Sequence, residues 1–172
     1  MSGLRAAVTT SAVIAAVACL VTTGASAAAM RHYVNARFGF AVDVPSELVA
    51  DRPPDNGDGR AFHAPDGSLR VTMSGIGNVL GETLSAFVSP EMAHCAHQPP
   101  DYLLKRSNWI VFSCTASDGI VYQKTIQRGR GEDAVFVSLR IHYPVGDKAR
   151  WNDVVTQISN SLRLTSSPVW TR

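Results

Sequence analysis

The sequence predicts an α+β domain, an antiparallel β-sheet with helices packed on it, behind an exported leader. Three observations predict it. Several segments alternate apolar and polar residues at strand period and are joined by short turns. Two stretches switch to the apolar spacing of a helix. Strands follow one another through turns rather than through crossover helices, which a parallel sheet requires.

Residues 1–27 carry one early cation, Arg5, then an Ala/Val-rich run without an acid, then Ala25, Ser26 and Ala27 before Ala28. A charged start, a short apolar run and a small-residue box define a secretory signal peptide. Residues 28–172 are then expected to form a single domain, within the usual size of one core. The apolar stretch 6–21 is shorter than the roughly 20 residues a spanning helix needs, and Thr9, Thr10 and Ser11 dilute it. A retained anchor is therefore disfavoured. Cys19 after Ala16, Val17 and Ala18 weakly resembles a lipobox, but the Leu three positions earlier is missing, which leaves a lipoprotein as a lesser alternative. The expected location is periplasmic or secreted, without stable membrane insertion after cleavage.

Cleavage removes Arg5 and no acid, leaving 15 Lys and Arg against 14 Asp and Glu. Such balance gives no case for a charge-driven nucleic-acid or membrane-surface binder. Cys95 and Cys114 are the cysteines that survive, an even pair in an oxidising compartment, and a disulfide is the expected assignment. A reactive thiol at Cys95 beside His94 and His97 requires that bond to be absent.

Residues 31–35 form a short lead-in. Residues 38–44 alternate as a strand stopped by Pro45, and 48–50 extend or return the sheet. Pro53, Pro54, Asn56, Gly57 and Gly59 concentrate turn formers, and a strand follows over 60–64. Asp66 and Gly67 make a tight turn into a strand over 69–75, where Leu69, Val71 and Met73 share one face. Leu84, Phe87, Val88, Met92 and Cys95 fall near one helical face with Thr83 as N-cap. Pro90 inside that pattern predicts a kink or a second short helix capped by Ser89, ending before Gln98. Strands over 102–105, 109–116, 120–127 and 134–143 are β-branched and aromatic, separated by polar and glycine turns, and read as antiparallel hairpins. Trp151, Val154, Val155, Ile158 and Leu162 form the stripe of an amphipathic closing helix after Pro144 and Gly146.

Chemistry-bearing motifs are weak. The glycines at 75, 77 and 81 lack the offsets, βαβ context and downstream acid of a dinucleotide loop, and no Walker lysine follows. Asp55, Asn56 and Asp58 depart from the spacing of a calcium loop, and a turn is the simpler account. No Ser lies in a nucleophile elbow. Trp109, Tyr122, Phe136 and Tyr143 line an aromatic groove or serve as core and cross-strand pairs. Glu91, His94 and His97 offer an oxygen and two imidazoles on one helical face, but the histidines stand at i and i+3 and two prolines follow.

The stretch from Tyr33 through Phe38, Gly39 and Phe40 to Pro45 resembles the opening strand of PsbP-like proteins. Asn56 to Phe62 with Asp66 and Gly67, and Leu139 to Pro144 before the closing helix, resemble small uncharacterised bacterial periplasmic proteins of that type. The resemblance spans nearly the whole mature chain. It implies a PsbP-like α/β sandwich and a binding, chaperone-like or assembly-accessory role without a catalytic motif, so no catalytic residue carries over. The cysteines are not part of it.

The expectation is an exported, non-enzymatic, cofactor-free module that binds an envelope protein or a small ligand. Arg60, Arg70, Arg140 and His142 are the strand-borne polar residues expected to contact it. The alternative is a metal-binding protein or metal-dependent hydrolase using Glu91, His94 and His97.

Overall fold

A computed structural model describes residues 29–165. The leader, with Arg5, Cys19 and the cleavage box, lies outside the described residues.

The first hairpin joins β1 (Met30–Asn35) to β2 (Phe40–Pro45), pairing Asn35 with Phe40 and Met30 with Pro45. Residues 31–35 are therefore a strand and not a lead-in. The side-chain signal is weak because most of β1 is exposed and only Tyr33 and Asn35 turn inward, so the backbone ladder with β2 carries much of the pairing. At the turn, Asn35 is buried, its Oδ1 accepts from the Phe38 N–H at 2.9 Å, and Gly39 takes the positive φ that closes the hairpin. A two-residue strand, β10 (Arg163–Leu164), pairs with the other edge of β2.

The second sheet holds β3 (Val49–Ala50), β4 (Gly59–His63), β5 (Arg70–Gly77), β6 (Tyr102–Lys105), β7 (Trp109–Ala116), β8 (Gly119–Arg128) and β9 (Val135–Tyr143). Every pairing is antiparallel and the order is β3-β4-β5-β9-β8-β7-β6. Two meanders, β3 to β5 and β6 to β8, are thus stitched together by β9 between them. β5 runs past Gly75 because Ile76 and Gly77 pair with Phe136 and Val135.

Antiparallel register puts directly opposed residues on one face. Val71, Met73, Val137, Leu139, Ile141 and Ile120 share the face that meets β2 and α2 (Lys148–Ser161). There Phe40, Val42 and Val44 from β2 and Trp151, Val155 and Ile158 from α2 complete the main core. Burying each such side chain stabilises the fold by roughly 1.5–3 kcal/mol. The ring of Phe38 lies over Gly75, where a Cβ would stand 2.3 Å from Phe38 Cγ, so only glycine admits this contact.

A second cluster lies on the opposite face under α1 (Leu84–Met92). Leu84 and Val88 pack on Ile110, Phe112, Val121 and Phe136, and Phe87 stacks on Phe136 with centroids 4.2 Å apart. Thr83 caps the helix, its Oγ1 accepting from the Ala86 N–H at 3.2 Å. Pro90 sits within this one short helix, in its last turn, and starts no second helix. The helix stops at Met92, earlier than the apolar spacing predicts. Beyond it the Ala96 N–H bonds to the Thr115 carbonyl and Cys95 is disulfide-linked to Cys114 on β7, with Cα atoms 5.6 Å apart. These ties to β7 hold the chain after α1 against the sheet.

Candidate functional site

The strand-borne polar residues separate by face. Arg70 on β5 lies directly opposite His142 on β9, and Arg140 lies opposite Thr72, so three of the four share the sheet face that α1 covers only in part. Arg60 pairs with Met73 and belongs to the other face, at the margin of the main core. The reason is parity: Arg60 is in step with Phe62, and a strand turns alternate residues to opposite faces.

On the shared face Arg70 and Arg140 are engaged within the protein, and His142 stands beside Asp118. Arg70 forms an ion pair with Asp51 at 2.8 Å, and Asp51 also accepts from His63 at 2.7 Å. The His63 hydrogen bond, and secondarily Arg70, hold the Asp51 carboxyl below its ordinary value against a desolvation that raises it. Arg140 pairs with Glu91 at the end of α1 and donates to Gln123 Oε1 at 3.3 Å. His142 Nε2 lies 3.3 Å from Asp118 Oδ1, an ion-pair distance, but off the line of a hydrogen bond and shielded from solvent.

This geometry does not favour the metal alternative. Glu91 is taken by Arg140, α1 ends at Met92, and His94 and His97 stand exposed beyond it. The shared helical face that would converge three donors does not exist past Met92. Among the described residues no group of three His, Cys, Asp or Glu side chains is placed to hold a metal ion. In the loop over 55–58, Asn56 and Asp58 bond to each other, as a turn does.

A concave site lies on the other face, between α2 and the β6-β7-β8 end of the large sheet. It encloses about 550 Å³, within the range of ligand cavities. Tyr122 and Tyr143, with Ile120, come from the sheet; Ser113 and Thr115 line it from β7 and Tyr102 from the first position of edge strand β6. From α2 come Lys148, Asn152, Val155, Thr156, Ser159 and Asn160. Asp101 borders it just before β6, its Oδ2 accepting from the Thr115 N–H at 3.0 Å.

Two side chains on β8 fix the helix wall. The Tyr122 hydroxyl and Ser159 Oγ lie 2.5 Å apart, and Lys124 donates from Nζ to the Ser159 carbonyl at 2.8 Å. Burial pushes the phenols of Tyr122 and Tyr143 above their ordinary values and the Lys124 ammonium below its own. Both tyrosines are therefore neutral hydroxyls at physiological pH, able to donate and accept.

No family model matches the sequence. No curated protein matches it either. Solved structures do. A protein of Bacteroides thetaiotaomicron VPI-5482 is 14% identical with a TM-score of 0.47, over 79% of this chain and 48% of that one, so this chain spans about half its length. Cyanobacterial PsbP is among them. The Synechocystis sp. PCC 6803 protein is 9% identical with a TM-score of 0.46, covering 82% of this chain and 95% of its own. LpqN of Mycobacterium tuberculosis, described as involved in cell envelope biogenesis, is 12% identical with a TM-score of 0.35, over 82% and 87% of the two chains. These likenesses concern the fold and carry no residue of the site across.

Of the four aromatic residues considered for a groove, the structure brings Tyr122 and Tyr143 into the cleft. Phe136 belongs to the cluster under α1 and Trp109 packs at the edge of the main core. The α2 wall was missed, yet it has a sequence signal. Lys148, Asn152, Thr156 and Asn160 recur at i, i+4, i+8 and i+12, a polar stripe beside the apolar one.

Proposed function

We propose that this protein is an exported, non-catalytic binding module of the cell envelope that holds a small ligand, or a protruding part of a larger partner, in the cleft beneath α2. One observation carries the reading: a cavity of about 550 Å³ whose polar side chains converge from two elements that Tyr122 and Ser159 lock together. A preformed cavity with a few convergent polar groups is the usual form of a ligand site. The Cys95–Cys114 disulfide supports an oxidising, extracytoplasmic compartment. Among the described residues no helix is long and apolar enough to cross a membrane.

The test is native mass spectrometry of the protein isolated from the envelope fraction, alongside a Thr156→Trp variant that places a bulky ring in the cleft at an exposed helical position. A co-purifying mass present in the parent and lost in the variant is the expected result. Hydrolytic turnover of a generic ester or peptide, abolished by the same substitution, would replace binding with catalysis.

A further inference from the structure

We infer that the ligand of the cleft is a neutral carbohydrate, an inference that rests on the cleft being a ligand site. The chemistry of its lining selects this class. Formal charge cancels, since Asp101 and Lys148 are the charged residues that line it. An anionic ligand would be met by several cations, and among the described lining residues there is no arginine. A lipid chain would be met by an unbroken apolar tube, whereas here the apolar lining of Ile120, Val155 and the tyrosine rings is interrupted by hydroxyls and amides.

Sugar hydroxyls each donate and accept, so they are matched by side chains that do both. Asn152 and Asn160 present amides, and Tyr143 and Ser113 present hydroxyls. Among the described residues none of these four side-chain groups is taken by another hydrogen-bond partner. Tyr122, Ser159 and Thr156, in contrast, are already bonded within the protein and serve as frame. Sugar rings also carry C–H faces that pack on aromatic rings. Tyr102 supplies such a ring, lining the cleft while remaining 49% exposed. The available amides sit on one wall and the tyrosines on the other, so a ring between them meets both.

The experiment records amide shifts of Asn152, Thr156 and Asn160 by two-dimensional NMR of the leaderless exported chain. Probes are chitotriose, maltotriose and mannotriose, then glucuronate, short-chain phosphatidylglycerol and tetra-alanine. Saturable shifts at these three residues with at least one neutral trisaccharide are expected, weakened at least tenfold by Asn152→Ala and by Tyr102→Ala. Both positions are exposed, and Ala is favourable in the helix, so the fold is retained. Saturable shifts with an anionic, lipid or peptide probe, but with no neutral sugar, overturn the carbohydrate assignment and leave the ligand cleft standing. Binding of a neutral sugar unaltered by either substitution overturns it as well. Silence of the three residues to every probe, while the native ligand search also finds nothing that Thr156→Trp displaces, removes both readings.

Discussion

The Tyr122 hydroxyl on β8 and the Ser159 Oγ on α2 lie 2.5 Å apart, and both side chains are largely removed from water. This bond joins residues 37 positions apart and ties α2 to the sheet beside the apolar contacts of Trp151, Val155 and Ile158. Both residues line the cleft, so the bond braces its two walls.

Tyr122→Phe keeps the ring and deletes the hydroxyl, leaving the buried Ser159 Oγ without its partner. The expected loss is about 1–2 kcal/mol of stability, as for an unsatisfied buried polar group. Urea denaturation checks it: the midpoint falls while the slope is unchanged. An unchanged midpoint would show that α2 is positioned by its apolar stripe alone.

Reduction of the Cys95–Cys114 bond, or the paired change Cys95→Ser and Cys114→Ser, releases a crosslink spanning a sequence separation of 19. The expected destabilisation is about 3 kcal/mol in the chain-entropy account. Denaturation with and without dithiothreitol measures it, and thiol titration of the untreated protein should find neither of these two cysteines free.

Acid should loosen the ion pairs of Asp43, on β2, and Asp51, just after β3. The hydrogen bond from His32, and secondarily Arg163, hold the Asp43 carboxyl below its ordinary value against a desolvation that raises it, while His63 and then Arg70 do so for Asp51. A carboxyl whose folded value is lowered binds protons more weakly when folded. Its contribution is fully present above the unfolded value of 3.8 and is lost as pH falls through the lowered folded value. Stability should therefore decline below about pH 4, and the double change Asp43→Asn and Asp51→Asn should flatten that decline. Thermal melts across pH 2 to 6, set by that ordinary range for a carboxyl, provide the measurement.

Asn78 should be a strong point of the connection between β5 and α1. It is buried, its Nδ2 donates to the carbonyls of Glu82 and Gly131 at 2.9 Å each, and its Oδ1 accepts from the Glu82 N–H at 2.9 Å. Asn78→Ala orphans the Glu82 carbonyl and N–H, while the Gly131 carbonyl keeps the Ala134 N–H, for an expected cost of about 1–3 kcal/mol. Hydrogen exchange at the Glu82 amide should quicken by more than at the centre of β9.

The antiparallel α+β class, the strands β2, β4, β5 and β7 to β9, the Thr83 cap and the α2 stripe were all legible because period and turn chemistry are local properties. So was the pairing of Cys95 with Cys114, which follows from compartment and count. β1 was hidden because a mostly exposed strand, paired largely through its backbone ladder, leaves little side-chain alternation to read. The early end of α1 at Met92 was hidden because the disulfide and the Ala96 bond to Thr115 impose it from β7.

By itself the sequence determined most of the strands, the two helices and which of their faces are apolar, since these depend on residues a few positions apart. Only the tertiary structure decided that β9 inserts between β5 and β8, that Arg60 parts from Arg70, Arg140 and His142, and that Tyr122 and Tyr143 face the polar stripe of α2 across a cavity. Those relations join residues tens of positions apart, and what sets them is packing of the whole core rather than any local preference.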